Sequence, residues 1–380
     1  MPLPPLVDPV EALSDAERSR TARHARLAGF GELAQRRLRA AHIAVVGAGG
    51  LGSPVVLALA SAGVGTLTII DDDVVEVSNL HRQVIHRVRD AGAAKTDSVA
   101  RVAADLSPET VVRAVGERLE PHNARELLAG ADIVIDGTDT FATRVAVADA
   151  CEGLGVPLVW GTVQGFDAQV TVFWTAPPAG SPAVRLADLY PEDSVGELPS
   201  CSDVGVLGAF CLQVGSLLAT EAIKLITGVG EPLLGRVLVL DALRSRQSEV
   251  PLRASAATVP DAARAPATPT SVDREAPRQL TASEALADRD AGATLIDVRE
   301  PWETAHGVVA DSRLVPLGEL LADPAHLGEG PFVVICAHGV RARTAAEALA
   351  REGATASVLS GGLAAWPELR ALDTAPASVS

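Results

Sequence analysis

Residues 42–73 read HIAVVGAGGLGSPVVLALASAGVGTLTIIDDD, and the fold of the first half of the chain is decided there. A β-branched, apolar run meets glycines at Gly47, Gly49, Gly50 and Gly52. An Ala/Leu/Val-rich helical segment then opens near Ser53, and a second strand, Thr66 to Ile70, ends on acids. This is one βαβ unit with the features of a nucleotide site. Glycine lets the backbone turn sharply and approach a phosphate, and a helix N-terminus points unpaired N–H groups and partial positive charge at it. Asp71 is spaced to take ribose hydroxyls. A purely structural turn makes the same pattern, and the pattern does not name the nucleotide. NAD is the default for such a loop, and the residues further on argue against it.

The 380 residues fit two or three domains. Apolar residues at 48% against 3% aromatics describe a chain that packs with Ala, Val and Leu. A net charge of −16 excludes nonspecific binding to nucleic acid or an anionic membrane. The N-terminus, MPLPPLVDPVEALSDAERSR, carries prolines and acids where a secretory signal has a basic start and an apolar core, and no apolar run looks long enough to span a membrane. The expected location is the cytoplasm. Cys151, Cys201, Cys211 and Cys336 are far apart and form no CxxC pair, so no disulfide framework or cysteine-rich zinc site is expected.

Between Ser14 and Ala40 the pattern is helical and rich in arginine, which reads first as a solvated amphipathic face. After the βαβ unit comes DDDVVEVSNLHRQVIH, and then GAAKTDSVARVAADL, which begins a helix near Lys95. Two cations, Arg82 and Lys95, with the amides of Asn79 and Gln83 could surround a triphosphate whose ribose is held by Asp71. Surface charge with incidental spacing explains them equally well. The strand Asp132 to Ile135 ends in Asp136 and Asp139. Both are expected at the carboxyl ends of the strands, facing the glycine loop. A carboxylate there beside a triphosphate suits Mg²⁺, and Asp139 also suits the cap of a helix starting near Phe141. Further strands are predicted at Pro157 to Val163, Ala168 to Trp174 and Val237 to Leu240. Residues 176–203 form a long Pro/Gly/Ser/acid-rich loop with Cys201, of the kind that makes lids and binding elements. An apolar helix runs within Gly205 to Gly228, with Gly228 as its C-cap.

From Val250 to Pro277 the composition turns to Pro, Ala, Thr and Ser, which reads as a linker and divides the chain into residues 1–249, 250–277 and 278–380. Beyond it, GPFVVICAHGVRARTAAEALAREG gives strand, loop and helix, with Cys336 at the junction. Backbone N–H groups at the helix start and Arg341 favour a thiolate there. Four residues separate Cys336 from Arg341. Cys151 and Cys211 read as small core residues, and His338 as a loop surface residue.

The ordered pieces RTARH, GAGGLGS, DDDVVEVSNLHRQ, GAAKT, DGTDT, GFDAQVTVF, PSCSDVGVLG and GSLLATEAIKLITG resemble the MoeB/ThiF adenylylating, ubiquitin-activating-enzyme-like family. The pieces IDVRE, PWETAHG and GGLAAWPEL resemble a rhodanese. Together they are similar to the MoeZ-type adenylyltransferase/sulfurtransferases over nearly the whole chain. The resemblance implies an α/β chain: a Rossmann-like ubiquitin-activating-enzyme fold with a mixed sheet, plus a smaller α/β rhodanese domain. It also implies ATP and Mg²⁺, with Asp71 on the ribose, Asn79, Arg82, Gln83 and Lys95 on the phosphates, and Asp139 on the metal. Arg23 would reach into the neighbouring subunit of a homodimer, and Cys201 would match a loop cysteine that forms covalent intermediates in some relatives. The implied partners are a small ubiquitin-fold sulfur carrier ending in Gly-Gly and a sulfur donor, either thiosulfate or a cysteine-desulfurase persulfide. Two departures stand out. The paired CxxC zinc ligands of many relatives are missing, so no zinc is expected, and Thr140 stands where many have Asn. The competing classes are an NAD-dependent oxidoreductase fused to a rhodanese module and a noncatalytic carrier-binding scaffold.

Overall fold

The computed structural model describes residues 3–190, 205–254, 277–299, 301–304, 307–337 and 339–366. The chain forms two compact units, divided within the stretch 255–276.

The first unit opens with three short helices, α1 (Asp15–Arg20), α2 (Ala22–Ala25) and α3 (Gly31–Ala40), where the arginine-rich pattern suggested one helical region. Gly29 and Gly31 take positive φ values of 81° and 66°, which breaks the run before α3. The βαβ unit follows as β1 (His42–Val46), α4 (Gly52–Ala62) and β2 (Thr66–Ile70). Next come α5 (Lys95–Leu106), β3 (Val111–Val115), α6 (Ala124–Leu128), β4 (Ile133–Asp136), α7 (Phe141–Leu154), β5 (Leu158–Gln164) and β6 (Asp167–Phe173). The unit ends with α8 (Leu186–Leu189), α9 (Gly208–Thr227), β7 (Arg236–Asp241) and β8 (Arg246–Pro251). Cys201 lies outside the described residues.

These strands make one eight-stranded sheet in the order β3-β2-β1-β4-β5-β6-β7-β8. It is parallel from β3 to β5 and antiparallel beyond. β1 is central and buried, and its side chains alternate between two cores: Ile43 and Val45 join one face, Ala44 and Val46 the other. Strand order reverses between β1 and β4, which places a crevice at their carboxyl ends. Val46 pairs with both Ile70 and Asp136, so β1, β2 and β4 end level there.

Two expectations need correcting. The first unit does not end at residue 249, because β8 pairs along the whole length of β7 and runs to Pro251. Every residue of β8 is exposed, so its sequence RQSEVP has no apolar alternation to reveal it. Helix α9, at 20 residues, is long and apolar enough by composition to cross a membrane. Its Phe210, Val214, Leu218 and Ala222 are buried in the core against residues of α4 and the sheet, which accounts for the apolarity. Gly228 caps it in the left-handed conformation, φ 74°, as expected.

The second unit is a five-stranded parallel sheet, ordered β11-β10-β12-β13-β9. Its strands are β9 (Arg278–Leu280), β10 (Thr294–Asp297), β11 (Arg313–Leu314), β12 (Phe332–Ile335) and β13 (Ala356–Leu359). The helices are α10 (Ala282–Asp290), α11 (Pro301–Thr304), α12 (Leu317–Ala322), α13 (Val340–Arg351) and α14 (Gly362–Ala365). Thr281 and Glu284 form a reciprocal capping box at the start of α10. β12 is buried on both faces: Val334 points into one core, Val333 and Ile335 into the other.

Candidate active sites

The crevice at the β1/β4 reversal is a cavity of about 340 Å³. The glycine loop forms one wall. Gly47 has φ +89°, and a Cβ there would sit 3.0 Å from the Gly137 carbonyl; a Cβ on Gly52 would sit 1.8 Å from the Gly47 carbonyl oxygen. Glycine is therefore required at both positions, and the start of α4 lies directly under the loop. Gly49 and Gly50 line the cavity, whereas Gly52 is buried beneath it.

Asp71 lines the cavity just past β2. Its Oδ2 accepts a hydrogen bond from the Ala48 N–H at 2.7 Å, and its Oδ1 accepts one from the Asp73 N–H at 2.9 Å. Burial pushes its carboxyl above the ordinary value, opposed by Lys95 and by those two N–H groups. The acid thus shapes the loop, with lone pairs left for a ribose hydroxyl. Lys95, buried at the start of α5, holds Asp73 at 2.7 Å and stands 3.8 Å from Asp71. Asn79, Arg82 and Gln83 also face the cavity. The Arg82 guanidinium donates to Asn79 Oδ1 at 3.0 Å. Gln83 is buried, and its Oε1 has no partner among the described residues, which leaves it for a ligand.

The two acids after β4 separate. Asp136 does not line the cavity, contrary to expectation. It is fully buried, and its Oδ1 accepts from the N–H and hydroxyl of Thr138 at 2.9 and 2.6 Å. Burial pushes its carboxyl up, against the pull of Arg144 and Thr138. Asp139 does line the cavity, exposed and with no hydrogen bond or ion pair among the described residues. It does not cap α7. Thr140 does, its hydroxyl accepting from the Thr143 N–H at 3.4 Å. Among the described residues no cluster of three or more His, Cys, Asp or Glu side chains could hold a metal. One free carboxylate beside the cavity fits an ion that arrives with a nucleotide, since Mg²⁺ is commonly held by one or two acids plus phosphate oxygens.

Some residues escaped the sequence reading. Arg144 is buried, donates to the Thr138 carbonyl at 3.0 Å, lies over the Trp160 ring at 5.7 Å and lines the cavity. Glu117 and Arg118, past the end of β3, also line it. Cys211 is buried as expected of a core residue, yet it also lines the cavity. Cys151 is an inert core thiol, pushed far above the ordinary range by burial. Arg23 is exposed on α2 and does not line the cavity of its own chain.

In the second unit, Cys336 lies at the carboxyl end of β12 and is 1% exposed. Its Sγ accepts from the Gly339 N–H at 3.1 Å and the Ala342 N–H at 3.4 Å, at the N-terminus of α13. These donors stabilise negative charge on sulfur, whether thiolate or persulfide. Arg341 grips Glu303 of α11 in a two-pronged ion pair at 2.6 and 2.7 Å. The expected cation of the loop is thus tied to a neighbouring acid, while the Gly339 and Ala342 backbone N–H groups donate to the sulfur. The IDVR signature has a structural role: Arg299 and Asp297 form a buried ion pair at 2.7 Å, and Arg299 also donates to the Gly307 carbonyl. His338 lies outside the described residues.

Comparison with known proteins agrees with both halves. Residues 21–260 match the ThiF family, and residues 281–369 match the rhodanese-like domain. The probable adenylyltransferase/sulfurtransferase MoeZ of Mycobacterium tuberculosis is 42% identical over 96% of this chain and 96% of its own length. The maize adenylyltransferase and sulfurtransferase MOCS3-1 is 38% identical over 91% of this chain and 81% of its own. The sulfur carrier protein adenylyltransferase of Thermus thermophilus is 42% identical over 58% of this chain and 81% of its own. Among solved structures, E. coli MccB with ATP shares the fold at a TM-score of 0.54 and 21% identity, covering 64% of this chain and 73% of that one. The chain belongs to the ThiF family, carries a rhodanese-like domain behind its nucleotide-binding unit, and is an adenylyltransferase and sulfurtransferase.

Proposed function

We propose that the first unit adenylylates the C-terminal carboxylate of a small ubiquitin-fold sulfur carrier ending in Gly-Gly, and that the sulfur replacing the adenylate comes from a persulfide on Cys336. The observation that carries this reading is the convergence on one cavity of the glycine loop, the cations Lys95 and Arg82, and the unpaired carboxylate of Asp139. The name of the Thermus relative supports the carrier as acceptor.

In the first step a carboxylate oxygen of the carrier attacks the α-phosphorus of ATP, the bond to the bridging oxygen breaks, and pyrophosphate leaves. Carboxylate is a poor acyl donor, and the adenylate supplies the leaving group. Lys95 and Arg82 would exchange Asp73 and Asn79 for phosphate oxygens, and Asp71 would hold the ribose. Asp139 would hold Mg²⁺, which when bound neutralises charge on the departing pyrophosphate. In the second step the terminal sulfur of the Cys336 persulfide attacks the acyl carbon and expels AMP. A thiol reductant then supplies two electrons to cleave the resulting acyl disulfide, releasing the thiocarboxylate and the Cys336 thiolate. Thiosulfate, leaving as sulfite, or a cysteine-desulfurase persulfide would reload Cys336. Arg23 would serve the partner subunit's cavity in a homodimer, and the work would be done in the cytoplasm.

Carrier-dependent ATP–pyrophosphate exchange tests the reading. A purified Gly-Gly carrier should stimulate exchange; a noncatalytic scaffold would bind the carrier without it. An NAD-dependent oxidoreductase would bind nicotinamide and leave Arg82, Lys95 and Asp139 without a joint purpose.

A further inference from the structure

His86 lies just past the phosphate-facing segment and belongs to none of the groups assigned to ATP. It is buried at 4% exposure, and its ring bridges two backbone-shaping systems. On one side Nε2 lies 3.1 Å from the carbonyl oxygen of Ala48, the second residue of the glycine loop. On the other, Nδ1 lies 3.1 Å from Ser98 Oγ of α5. Ser98 in turn lies 2.9 Å from Asp90 Oδ2, an oxygen also gripped by Arg101 at 2.7 Å.

A carbonyl oxygen only accepts, so the imidazole must carry hydrogen on Nε2. Burial pushes the ring below its ordinary value, aided by Lys95 and opposed by the Ala48 carbonyl, Asp71 and Asp90. Ser98 donates its one hydroxyl hydrogen to Asp90 Oδ2, so the bond the ring itself directs at the loop is the one from Nε2 to Ala48. Ala48 is held on both sides: its N–H, in the Gly47–Ala48 peptide, donates to Asp71 at 2.7 Å, while its carbonyl, in the Ala48–Gly49 peptide, accepts from His86 and from the Ser53 hydroxyl at 3.0 Å. Fixing the second of these planes aims the Gly49 N–H that shares it.

We infer that His86 is a positioning residue for adenylation, holding the Ala48 carbonyl so that the glycine loop is preorganised for the phosphates of ATP. Its function is the donated hydrogen bond, with the ring volume secondary. A Gln side chain presents its Nε2 about where the imidazole Nε2 stands. Asn is too short for that reach, and Phe keeps the ring without a donor.

The test is ATP binding to the full chain by titration calorimetry, with thiosulfate sulfurtransferase activity of the second unit as a control for intact protein. His86→Phe and His86→Asn should weaken ATP binding about three- to tenfold, the scale of one lost hydrogen bond. His86→Gln should restore it to within about twofold, and the KM for the carrier should stay unchanged in all three. Wild-type affinity in His86→Phe, or a Gln variant as weak as Asn, would overturn the inference in favour of simple packing. If the Phe variant does not fold, Asn against Gln decides alone.

Discussion

Of the two acids at the end of β4, Asp139 faces the cavity, whereas Asp136 is turned inward onto Thr138. Asp139→Ala should lower carrier-dependent pyrophosphate exchange by about 100-fold or more with an unchanged circular dichroism spectrum, the loss expected when a group countering transition-state charge is removed. Near-normal exchange would sink the assignment. His86 gives a prediction with a sign. Its folded value lies below 6.5. The unfolded chain therefore binds the proton first, and the stability contributed by the neutral buried ring is full above pH 6.5 and is lost as pH falls below it. Asp71, raised by burial, acts in the opposite sense nearer its own range, and it is common to wild type and His86→Gln. Hydrogen exchange of the β1 amides, compared between the two proteins at equal pH, should show wild type losing protection relative to the variant between pH 7.5 and about 5.5. At this scale the chemistry of Lys95, Arg82 and Gln83 left a phosphate site and incidental surface charge equally open, and it is the fold that brings all three to one cavity. The Arg341–Glu303 pair and the His86–Ala48 contact were not legible, since each joins residues 38 apart in sequence.

At the scale of elements, the central strands could be read to within a residue or two, because buried parallel strands are continuous apolar runs. Edge strand β8 could not, being polar and exposed, and the break between α2 and α3 depends on two positive-φ glycines. The contact between α4 and the loop yields a clean expectation. A methyl group on Gly52 would meet the Gly47 carbonyl oxygen at 1.8 Å, so Gly52→Ala must push the loop off α4. ATP binding should fall below detection by calorimetry while thiosulfate sulfurtransferase activity persists. Retained ATP affinity would show that the loop is looser than this packing allows. In the second unit, Arg299→Ala leaves Asp297 buried and unpaired, which costs about 3–5 kcal/mol. The melting transition of that unit should drop or vanish, and a melt within about two degrees of wild type would contradict the pairing.

For the whole molecule, the division into two chemistries was legible from the linker composition and from two sets of motifs, and the family matches cover the same two stretches. Assembly was not, because Arg23 is exposed and away from its own cavity, and one chain holds no partner residues to read. If Arg23 serves a partner's site, mixing inactive Arg23→Ala and Asp139→Ala proteins should produce heterodimers with one intact site and measurable exchange. Verified subunit exchange without recovered activity would rule out sharing. Cys201→Ala should keep adenylation and thiosulfate cleavage and lose only part of the thiocarboxylate, because the persulfide can attack the acyl-adenylate directly. The most direct test of the coupled chemistry is mass spectrometry of a Gly-Gly carrier after a single turnover with ATP and thiosulfate-loaded enzyme, without external sulfide. Wild type should yield thiocarboxylate once a thiol reductant is added, and Cys336→Ala should yield acyl-adenylate alone; full thiocarboxylate from Cys336→Ala would contradict the account.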